Sequence, residues 1–349
     1  MKDKIFTIPF IRGMSVSLPK ECVNLRELDF DSSAVEKTIN TTGVSIIRQS
    51  PPDKTISDYC INAAENLFDE LNFDKSKVDG IVFATYTDDY ISPGSGYIVQ
   101  DRLGLSETCI VTDIKQACAG FVHGLFQAFL LIQSGYCNNV LLCAGDTLTK
   151  VVNPKSKSER MIFSDAGAVA LISAGEDVTK TSFAFFNNGN GFRALYVPAG
   201  GFRIPAKAGL TDKEVIDESG NIRTLENLHM NGLEVMTFVV YAAPRAVKSV
   251  LAMSDYTKED IDLFVFHQAN KTIVKSLGRI LKLPAEKVPI HIEEYGNTAA
   301  TSIPLTLCLE KIQNKNFSNA VLCGYGNGLT CAATSLNLNK TYFCKPKEI

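Results

Sequence analysis

The feature that most constrains the fold is an internal repeat, because the chain contains one pattern of apolar segments twice. Residues 77–85 (KVDGIVFAT) resemble residues 260–268 (DIDLFVFHQ), and residues 138–145 (NNVLLCAG) resemble residues 318–325 (SNAVLCGY). Self-similarity of this kind indicates a duplicated structural unit. We therefore predict two similar halves, residues 1–173 and residues 174–349.

The order of segments within each half predicts the fold class. A helical stretch is followed by an apolar strand, a crossover, a second helix and another apolar strand, at 57–72, 80–85, 119–134 and 140–144 in the first half and at 234–253, 263–266, 299–312 and 320–323 in the second. Strands that are apolar without alternation suit sheets covered on both faces, and alternation with helices suits right-handed crossovers. The sequence predicts an α/β fold of two layered halves.

Cys118 is a candidate nucleophile. It lies in QACAGF (116–121), where an extended segment turns into an apolar helix. Unpaired N–H groups and the positive end of the helix dipole at such a position favour the reactive thiolate. The alternative is a buried core cysteine, which we expect for most of the other nine.

His267 and Asn297 are candidate partners of Cys118. His267 directly follows an apolar strand, and carboxyl ends of such strands are where α/β sites collect. Under the repeat, Asn297 falls near the position of Cys118, since both precede the second helix. Each alone has an ordinary explanation, a structural histidine or a turn. Together, an imidazole N–H and an amide NH₂ can stabilise negative charge on a thioester oxygen.

Two further elements near Cys118 have less specific signals. The glycine-rich segment 324–330 follows the last apolar strand of the repeat and can bring backbone N–H groups beside Cys118, although glycines also favour an ordinary tight turn. His123 follows Cys118 by five residues, so a helix would point it away from the thiol. We expect His123 to serve packing or an interface.

Composition and motifs exclude several classes of function. The net charge of −3 predicts no nucleic-acid partner. No apolar run approaches the ~18 residues that span a bilayer, and no signal peptide is recognisable at the N-terminus, so we expect no membrane association. Ten cysteines without Cys-x-x-Cys spacing indicate reduced thiols in the cytoplasm and no zinc ribbon. Nothing has the spacing of a nucleotide-binding loop.

The chain resembles the β-ketoacyl-ACP synthase III family of the thiolase superfamily from about the N-terminus to about residue 338. Seven ordered motifs carry the resemblance: TGV at 42–44, ACAGF at 117–121, FSDAGA at 163–168, MNGLEV at 230–235, HQAN at 267–270, GNT at 296–298 with SIP at 302–304, and GYGNGLT at 324–330.

The resemblance implies a five-layered αβαβα homodimer and a decarboxylating condensation. Members load an acyl group from acyl-CoA or a carrier thioester onto the cysteine and condense it with malonyl-ACP or malonyl-CoA, which releases CO₂ and leaves a β-ketoacyl product. The family's triad falls on Cys118, His267 and Asn297, with the N–H groups of Cys118 and Asn327 as oxyanion donors. The resemblance implies acyl carrier protein as a partner, and no metal or further cofactor.

Several positions depart from the family pattern. Asn327 stands where glycine is usual, and asparagine tolerates the left-handed backbone that such a turn often needs. Ser92 replaces the aromatic residue that is thought to close the acyl channel from across the dimer in acetyl-selective members, so we expect a medium or long primer. Thr272 replaces an arginine linked to carrier docking, with Lys271 and Lys275 as candidates to take over that role. The chain has no tryptophan, the residue that helps to hold CoA in many members.

Residues 202–229 resemble an insertion, either a lid over the acyl channel or a surface loop. Two other functions remain open. One is an acyltransferase that moves an acyl group to a hydroxyl or amine without condensation. The other is a non-catalytic member that dimerises with an active homologue, which the presence of Cys118, His267 and Asn297 disfavours.

Overall fold

Helices and strands alternate along the described residues, which are 5–6, 8–175, 180–313 and 316–349 of this computed structural model. The helices are α1 Ser32–Thr42, α2 Ile56–Leu71, α3 Ser95–Leu103, α4 Gly120–Gln133, α5 Lys157–Arg160, α6 Gly232–Met253, α7 Lys271–Leu281 and α8 Ser302–Ile312. The strands are β1 Ile5–Phe6, β2 Pro9–Leu18, β3 Cys22–Asn24, β4 Ile46–Arg48, β5 Gly80–Thr85, β6 Ile110–Lys115, β7 Asn139–Asp146, β8 Ala166–Ala174, β9 Thr181–Asn187, β10 Leu195–Tyr196, β11 Val215–Ile216, β12 Ile222–Arg223, β13 His229–Met230, β14 Leu263–Phe266, β15 Asn319–Gly326, β16 Thr330–Asn337, β17 Tyr342–Phe343 and β18 Lys347–Glu348.

Two mixed sheets carry the repeated strands. The first has the order β17-β2-β8-β7-β5-β6, with β18 also paired to β2, and the second has the order β1-β9-β16-β15-β14. In the first sheet β5 is parallel to β7, with Gly80 opposite Val140, and in the second β14 is parallel to β15, with Leu263 opposite Ala320. All six residues of β5 and all four of β14 are buried, as expected for strands covered on both faces.

The helices complete the predicted five layers. α2 packs on the outer face of the first sheet, and α6 packs on the outer face of the second, beside α7. α4 and α8 contact both sheets and so form the middle layer. The duplicated αβαβα fold is therefore confirmed, with the second helix of each half in its middle layer.

The helix boundaries differ from prediction mainly at α8. The predicted helix 299–312 starts instead at Ser302, because Ala299–Thr301 forms a 3-10 turn and Ala299 has a φ of 46°. Side-chain caps begin α6 and α7, which also reach the site. Asn231 accepts from the N–H of Glu234 at 3.2 Å, and Asn270 accepts from the N–H of Ile273 at 2.8 Å.

The two halves exchange their chain ends. β1 pairs with β9 in the second sheet, while β17 and β18 pair with β2 in the first. The predicted boundary at 173/174 falls at the end of β8 and stays a prediction. The repeat shows where each unit lies, but it carries no signal for short terminal strands that cross between units.

α6 is the one helix of the described residues that is long and apolar enough to cross a membrane. Eight of its residues are buried, and it packs on β16, β9 and β15. A core helix of a folded protein has the same length and composition, and the packing of α6 matches that description.

Candidate active site

One cavity of about 90 Å³ brings the three predicted side chains together. Cys118, His267 and Asn297 line it, and they come from the turn before α4, the end of β14 and the turn before α8. Of the described residues, those that complete the lining are all uncharged: Ile162, Phe163, Leu195, Met230, Gly232, Val235, Ala269, Asn270, Ile273, Tyr325 and Gly326. The site is therefore enclosed and apolar, with a thiol, an imidazole and amides as its polar groups.

Cys118 is buried and lies two residues before the first residue of α4. The β15–β16 hairpin packs directly on it at Gly326. A Cβ added to Gly326 would lie 2.8 Å from the Cβ of Cys118 and 3.1 Å from its Sγ, so this position requires glycine. The glycine-rich segment 324–330 therefore lies beside the thiol, as the sequence indicated.

The expected favourable effect of the backbone N–H on the Cys118 thiolate is present, but burial outweighs it in this structure. Burial raises the pKa of Cys118 to about 12, the nearby Asp146 carboxylate raises it further, and a hydrogen bond from the residue's own backbone offsets only part of the rise. Removing the thiolate from water costs more free energy than the backbone hydrogen bond gives back. The free thiol is protonated at neutral pH.

Asp146 is a buried carboxyl group near Cys118 that sequence reasoning missed, and it does not line the cavity. This last residue of β7 is fully buried, and its Oδ1 accepts from the Thr85 hydroxyl and the Tyr86 N–H, both at 2.9 Å. Its Oδ2 has no hydrogen-bond partner among the described residues. Burial raises the pKa of Asp146 to about 7. The available signal was a carboxylate at the end of an otherwise apolar strand.

Hydrogen bonds fix both the backbone and the ring of His267. Its backbone N–H donates to the Cys323 carbonyl at 2.9 Å, and its carbonyl accepts from the Tyr325 hydroxyl at 2.8 Å. Its Nδ1 lies 2.7 Å from Ser302 Oγ. Burial lowers the pKa of His267 to about 3, and a hydrogen bond with the Ala299 backbone offsets this only partly. The ring is neutral at physiological pH.

Asn297 is fixed by the first half of the chain. Its N–H donates to the Ile162 carbonyl at 2.8 Å, and its carbonyl accepts from the Ser164 N–H at 3.0 Å. The preceding Gly296 has a φ of 61°, and a Cβ there would lie 3.0 Å from the Ile162 oxygen. The side-chain Oδ1 accepts from the Ala299 N–H at 3.0 Å, which fixes the orientation of the amide.

Asn327 lies in the β15–β16 turn, directly after Gly326, and it is not among the residues that line the cavity. The left-handed backbone that asparagine tolerates is not used here, because the positive φ of this turn, 140°, falls on Gly328. Its side-chain Oδ1 is buried without a partner among the described residues.

Ser92 lies outside the cavity of its own chain and is exposed. It belongs to a loop with the exposed side chains of Tyr90 and Ile91. Within one chain, the structure therefore does not bring Ser92 to Cys118.

An ion pair and hydrogen bonds join the segment 202–229 to residues of the first half of the chain. The Arg223 guanidinium reaches the fully buried Glu159 carboxylate at 2.7 Å, and Asn221 Oδ1 accepts from the Ser158 N–H at 2.9 Å. Leu228, at the end of the segment, donates its N–H to the Val151 carbonyl at 2.8 Å and packs in the apolar cluster that contains Cys118. The segment contributes a fixed wall near the thiol, and its outer part is a short hairpin of β11 and β12.

The described residues contain no group of three or more His, Cys, Asp or Glu side chains placed to hold a metal ion.

The duplicated five-layered fold, with a buried cysteine at the start of a middle-layer helix, defines an acyltransferase of the thiolase superfamily. The family model described as 3-oxoacyl-[acyl-carrier-protein (ACP)] synthase III matches residues 112–190, and the model of its C-terminal part matches residues 251–338. The chain belongs to this β-ketoacyl-ACP synthase III family.

Individual relatives cover nearly the whole chain. The beta-ketoacyl-[acyl-carrier-protein] synthase III of Caldanaerobacter subterraneus is 30% identical over 334 residues, 95% of this chain and 98% of the relative. That of Clostridium novyi is 33% identical over 301 residues, 85% of this chain and 89% of the relative. The solved 3-oxoacyl-(acyl-carrier protein) synthase of Burkholderia xenovorans LB400 has a TM-score of 0.90 at 30% identity, covering 99% of this chain and 98% of that structure.

Proposed function

We propose that the protein transfers an acyl group from a thioester to Cys118 and condenses it with a malonyl thioester to give a β-ketoacyl product. The observation that carries the proposal is the single uncharged cavity shared by Cys118, His267 and Asn297. The names of the relatives, as 3-oxoacyl or beta-ketoacyl carrier-protein synthases, support a carrier-bound malonyl group. The proposed reaction needs no cofactor beyond its thioester substrates.

In the acylation step, Cys118 Sγ bonds to the thioester carbonyl carbon and the original C–S bond breaks. Because the thiol is protonated in the free protein, its proton has to move as the new bond forms, and it leaves with the departing thiol. The carbonyl oxygen gains negative charge in between. We propose that the N–H groups of Cys118 and Asn327 stabilise it, and the contact of Gly326 with Cys118 supports that placement of the turn.

In the condensation step, the malonyl group loses CO₂ and the electron pair forms an enolate, whose carbon attacks the acyl carbonyl. The C–S bond to Cys118 breaks, and the released thiolate takes up one proton from solvent to regenerate the thiol. His267 and Asn297 are proposed as the donors to the enolate oxygen. Ser302 Oγ accepts from the Gln268 N–H at 3.3 Å, and we assign its own proton to His267 Nδ1, so that Nε2 carries the imidazole proton. Since Oδ1 of Asn297 accepts a hydrogen bond from the Ala299 N–H, the NH₂ is the end of the amide that faces a substrate.

Two variants separate these steps. Cys118→Ala should form no acyl adduct by intact-mass spectrometry but still release CO₂ from malonyl-carrier. Asn297→Ala should form the adduct, but its rate of CO₂ release should fall by about 10²-fold, which is the typical cost of losing one such donor. A wild-type protein that accepts an acyl group yet releases no CO₂ from malonyl thioesters would contradict the condensation and favour transfer to a hydroxyl or amine.

We propose a medium or long acyl primer. The cavity of about 90 Å³ equals roughly three water molecules of about 30 Å³ each, so a longer chain has to extend beyond it. The small side chain at Ser92, approaching from a second subunit, would leave that path open. Each further buried methylene would add about 0.8 kcal/mol to binding. Faster acylation of Cys118 by acetyl-CoA than by octanoyl-CoA would contradict this part of the proposal.

We propose that the protein is a homodimer joined at β6. This strand is at one end of the first sheet, so one of its edges is unpaired among the residues that the structure describes. The start of α3 is joined to β6 by a hydrogen bond of 2.8 Å from the Gly96 N–H to Asp113, and the loop before this helix exposes Ile91 by 81% and Tyr90 by 63%. An apolar loop next to an open strand edge suits a second copy. Light scattering should show a dimer that Ile91→Asp weakens, and a wild-type monomer would refute this.

Carrier docking is proposed for α7. Lys271, Lys275 and Arg279 are exposed on successive turns of this helix, which starts at the cavity residue Asn270. Thr272 is engaged elsewhere, because its hydroxyl donates to the Thr41 carbonyl at 2.6 Å. Lys275→Glu should slow the reaction with malonyl-carrier and leave malonyl-CoA unaffected. Equal loss with both substrates would argue against docking at this face.

We also propose the cytoplasm as the compartment, since all ten cysteines are unbridged in the structure.

A further inference from the structure

A polar chain of three residues joins the helix that begins at Cys118 to the hairpin that packs on it. His123, in the first turn of α4, has its Nε2 3.1 Å from Thr330 Oγ1, and the Thr330 oxygen lies 2.5 Å from Asn187 Oδ1. Thr330 is the first residue of β16, directly after the turn 327–329, and it pairs with Asn187 of β9. The His123 ring also packs on Phe185, with centroids 5.0 Å apart.

The direction of each hydrogen bond in this chain follows from the protons present. An amide oxygen only accepts, so the single Thr330 hydroxyl proton goes to Asn187. The Thr330 oxygen is then left to accept, and His123 Nε2 must be the donor. Burial lowers the pKa of His123 to about 4, so the ring is neutral at physiological pH, with its one proton on Nε2.

This bond links the two elements that carry the proposed oxyanion donors. The Cys118 N–H lies in the turn that opens α4, and the Asn327 N–H lies three residues before Thr330. Gly326 is already in contact with Cys118, so the hairpin has little room to approach further, and a tie is needed only to keep it from moving away. His123 supplies that tie from the side of the helix.

We propose that His123 is a positioning residue that sets the separation between the Cys118 and Asn327 N–H groups during acyl transfer to Cys118. The inference rests on the proposed acylation of Cys118, and it extends the site to a side chain that does not line the cavity. It predicts a larger effect on one of the two half-reactions, because the side chains of His267 and Asn297, which serve decarboxylation, are oriented by Ser302 and Ala299 and not by the hairpin.

The test compares His123→Phe, which keeps an aromatic ring against Phe185 but lacks the donor, with His123→Gln, which retains an N–H donor. Single-turnover acylation is followed by intact mass, and malonyl decarboxylation is followed by CO₂ release. For His123→Phe we expect acylation to be slower by roughly tenfold, a fraction of the about 10²–10³-fold cost of losing an oxyanion donor outright, with decarboxylation unchanged. His123→Gln should restore most of the acylation rate.

A second variant keeps the test decisive if His123→Phe is unstable. Thr330→Val removes the acceptor at the other end of the same bond and should give the same defect, and combining it with His123→Gln should add nothing further. Wild-type acylation rates in both His123→Phe and Thr330→Val, or an equal fall in both half-reactions, would overturn the inference. A wild-type protein that acylates Cys118 but does not condense would instead refute the proposed function and leave the role of His123 measurable.

Discussion

Replacing Asp146 with asparagine tests how burial controls the charge beside the nucleophile. Asparagine has nearly the same shape and keeps an oxygen to accept from Thr85 and Tyr86, but it cannot ionise. The wild-type carboxyl is fully buried, one of its oxygens has no partner among the described residues, and its pKa is raised to about 7 from the ordinary 3.8. The substitution therefore removes a titration and changes little else.

The size of the effect follows from that pKa. Between pH 4 and pH 7 the folded protein keeps a proton on Asp146 that the unfolded chain releases, so the free energy of unfolding falls as the pH rises through this window. At 1.36 kcal/mol per pKa unit, the difference between 3.8 and about 7 amounts to about 4 kcal/mol. Asp146→Asn should be free of this loss, and it should also lower the pKa of Cys118, which the Asp146 charge raises.

The assay is urea unfolding of both proteins at pH 4.5 and pH 8, together with the rate of Cys118 alkylation by iodoacetamide at pH 8. The free energy of unfolding of the variant, relative to that of wild type, should rise by up to about 4 kcal/mol from pH 4.5 to pH 8. Iodoacetamide should also alkylate Cys118 faster in the variant. Asp101→Asn, at an exposed position of α3, is the control and should change neither. The reasoning is refuted if wild type and Asp146→Asn keep the same stability difference at both pH values and alkylate at the same rate.

Three further substitutions test other contacts. Gly326→Ala should lower Cys118 acylation by more than about 10²-fold, because its Cβ would lie 2.8 Å from the Cβ of Cys118, whereas Gly189→Ala, with nothing within 4 Å, should acylate like wild type by intact mass. Arg223→Met should destabilise the protein by about 3–5 kcal/mol in urea unfolding, since it leaves the buried Glu159 carboxylate unpaired, while Lys155→Met, at an exposed pair with Glu214, should cost under about 1 kcal/mol. Ser92→Phe should slow acylation by octanoyl-CoA and spare acetyl-CoA, and an unchanged chain-length profile would remove Ser92 from the acyl channel.

Much of the fold could be predicted from sequence because it depends on local patterns that occur twice. The apolar strands at 80–85 and 263–266 and the helix after Cys118 lie within one or two residues of their predicted bounds. The exchange of β1, β17 and β18 between the halves had no such signal, since strands of two residues are too short to show periodicity. The 3-10 turn that shortens α8 also has no local marker, because alanine rarely takes the positive φ found at Ala299.

Local sequence patterns were enough to place Cys118, His267 and Asn297 at strand and helix ends, and hence to select them as candidates. Their protonation states follow from the folded packing, because a pKa depends on how much water and charge surround a group and not on its neighbours in sequence. Burial makes Cys118 a thiol and His267 a neutral donor, and it adds Asp146, from a distant strand end, to the same environment. The link from His123 to Thr330 likewise arises only because α4 and β16 pack together, 207 residues apart along the chain.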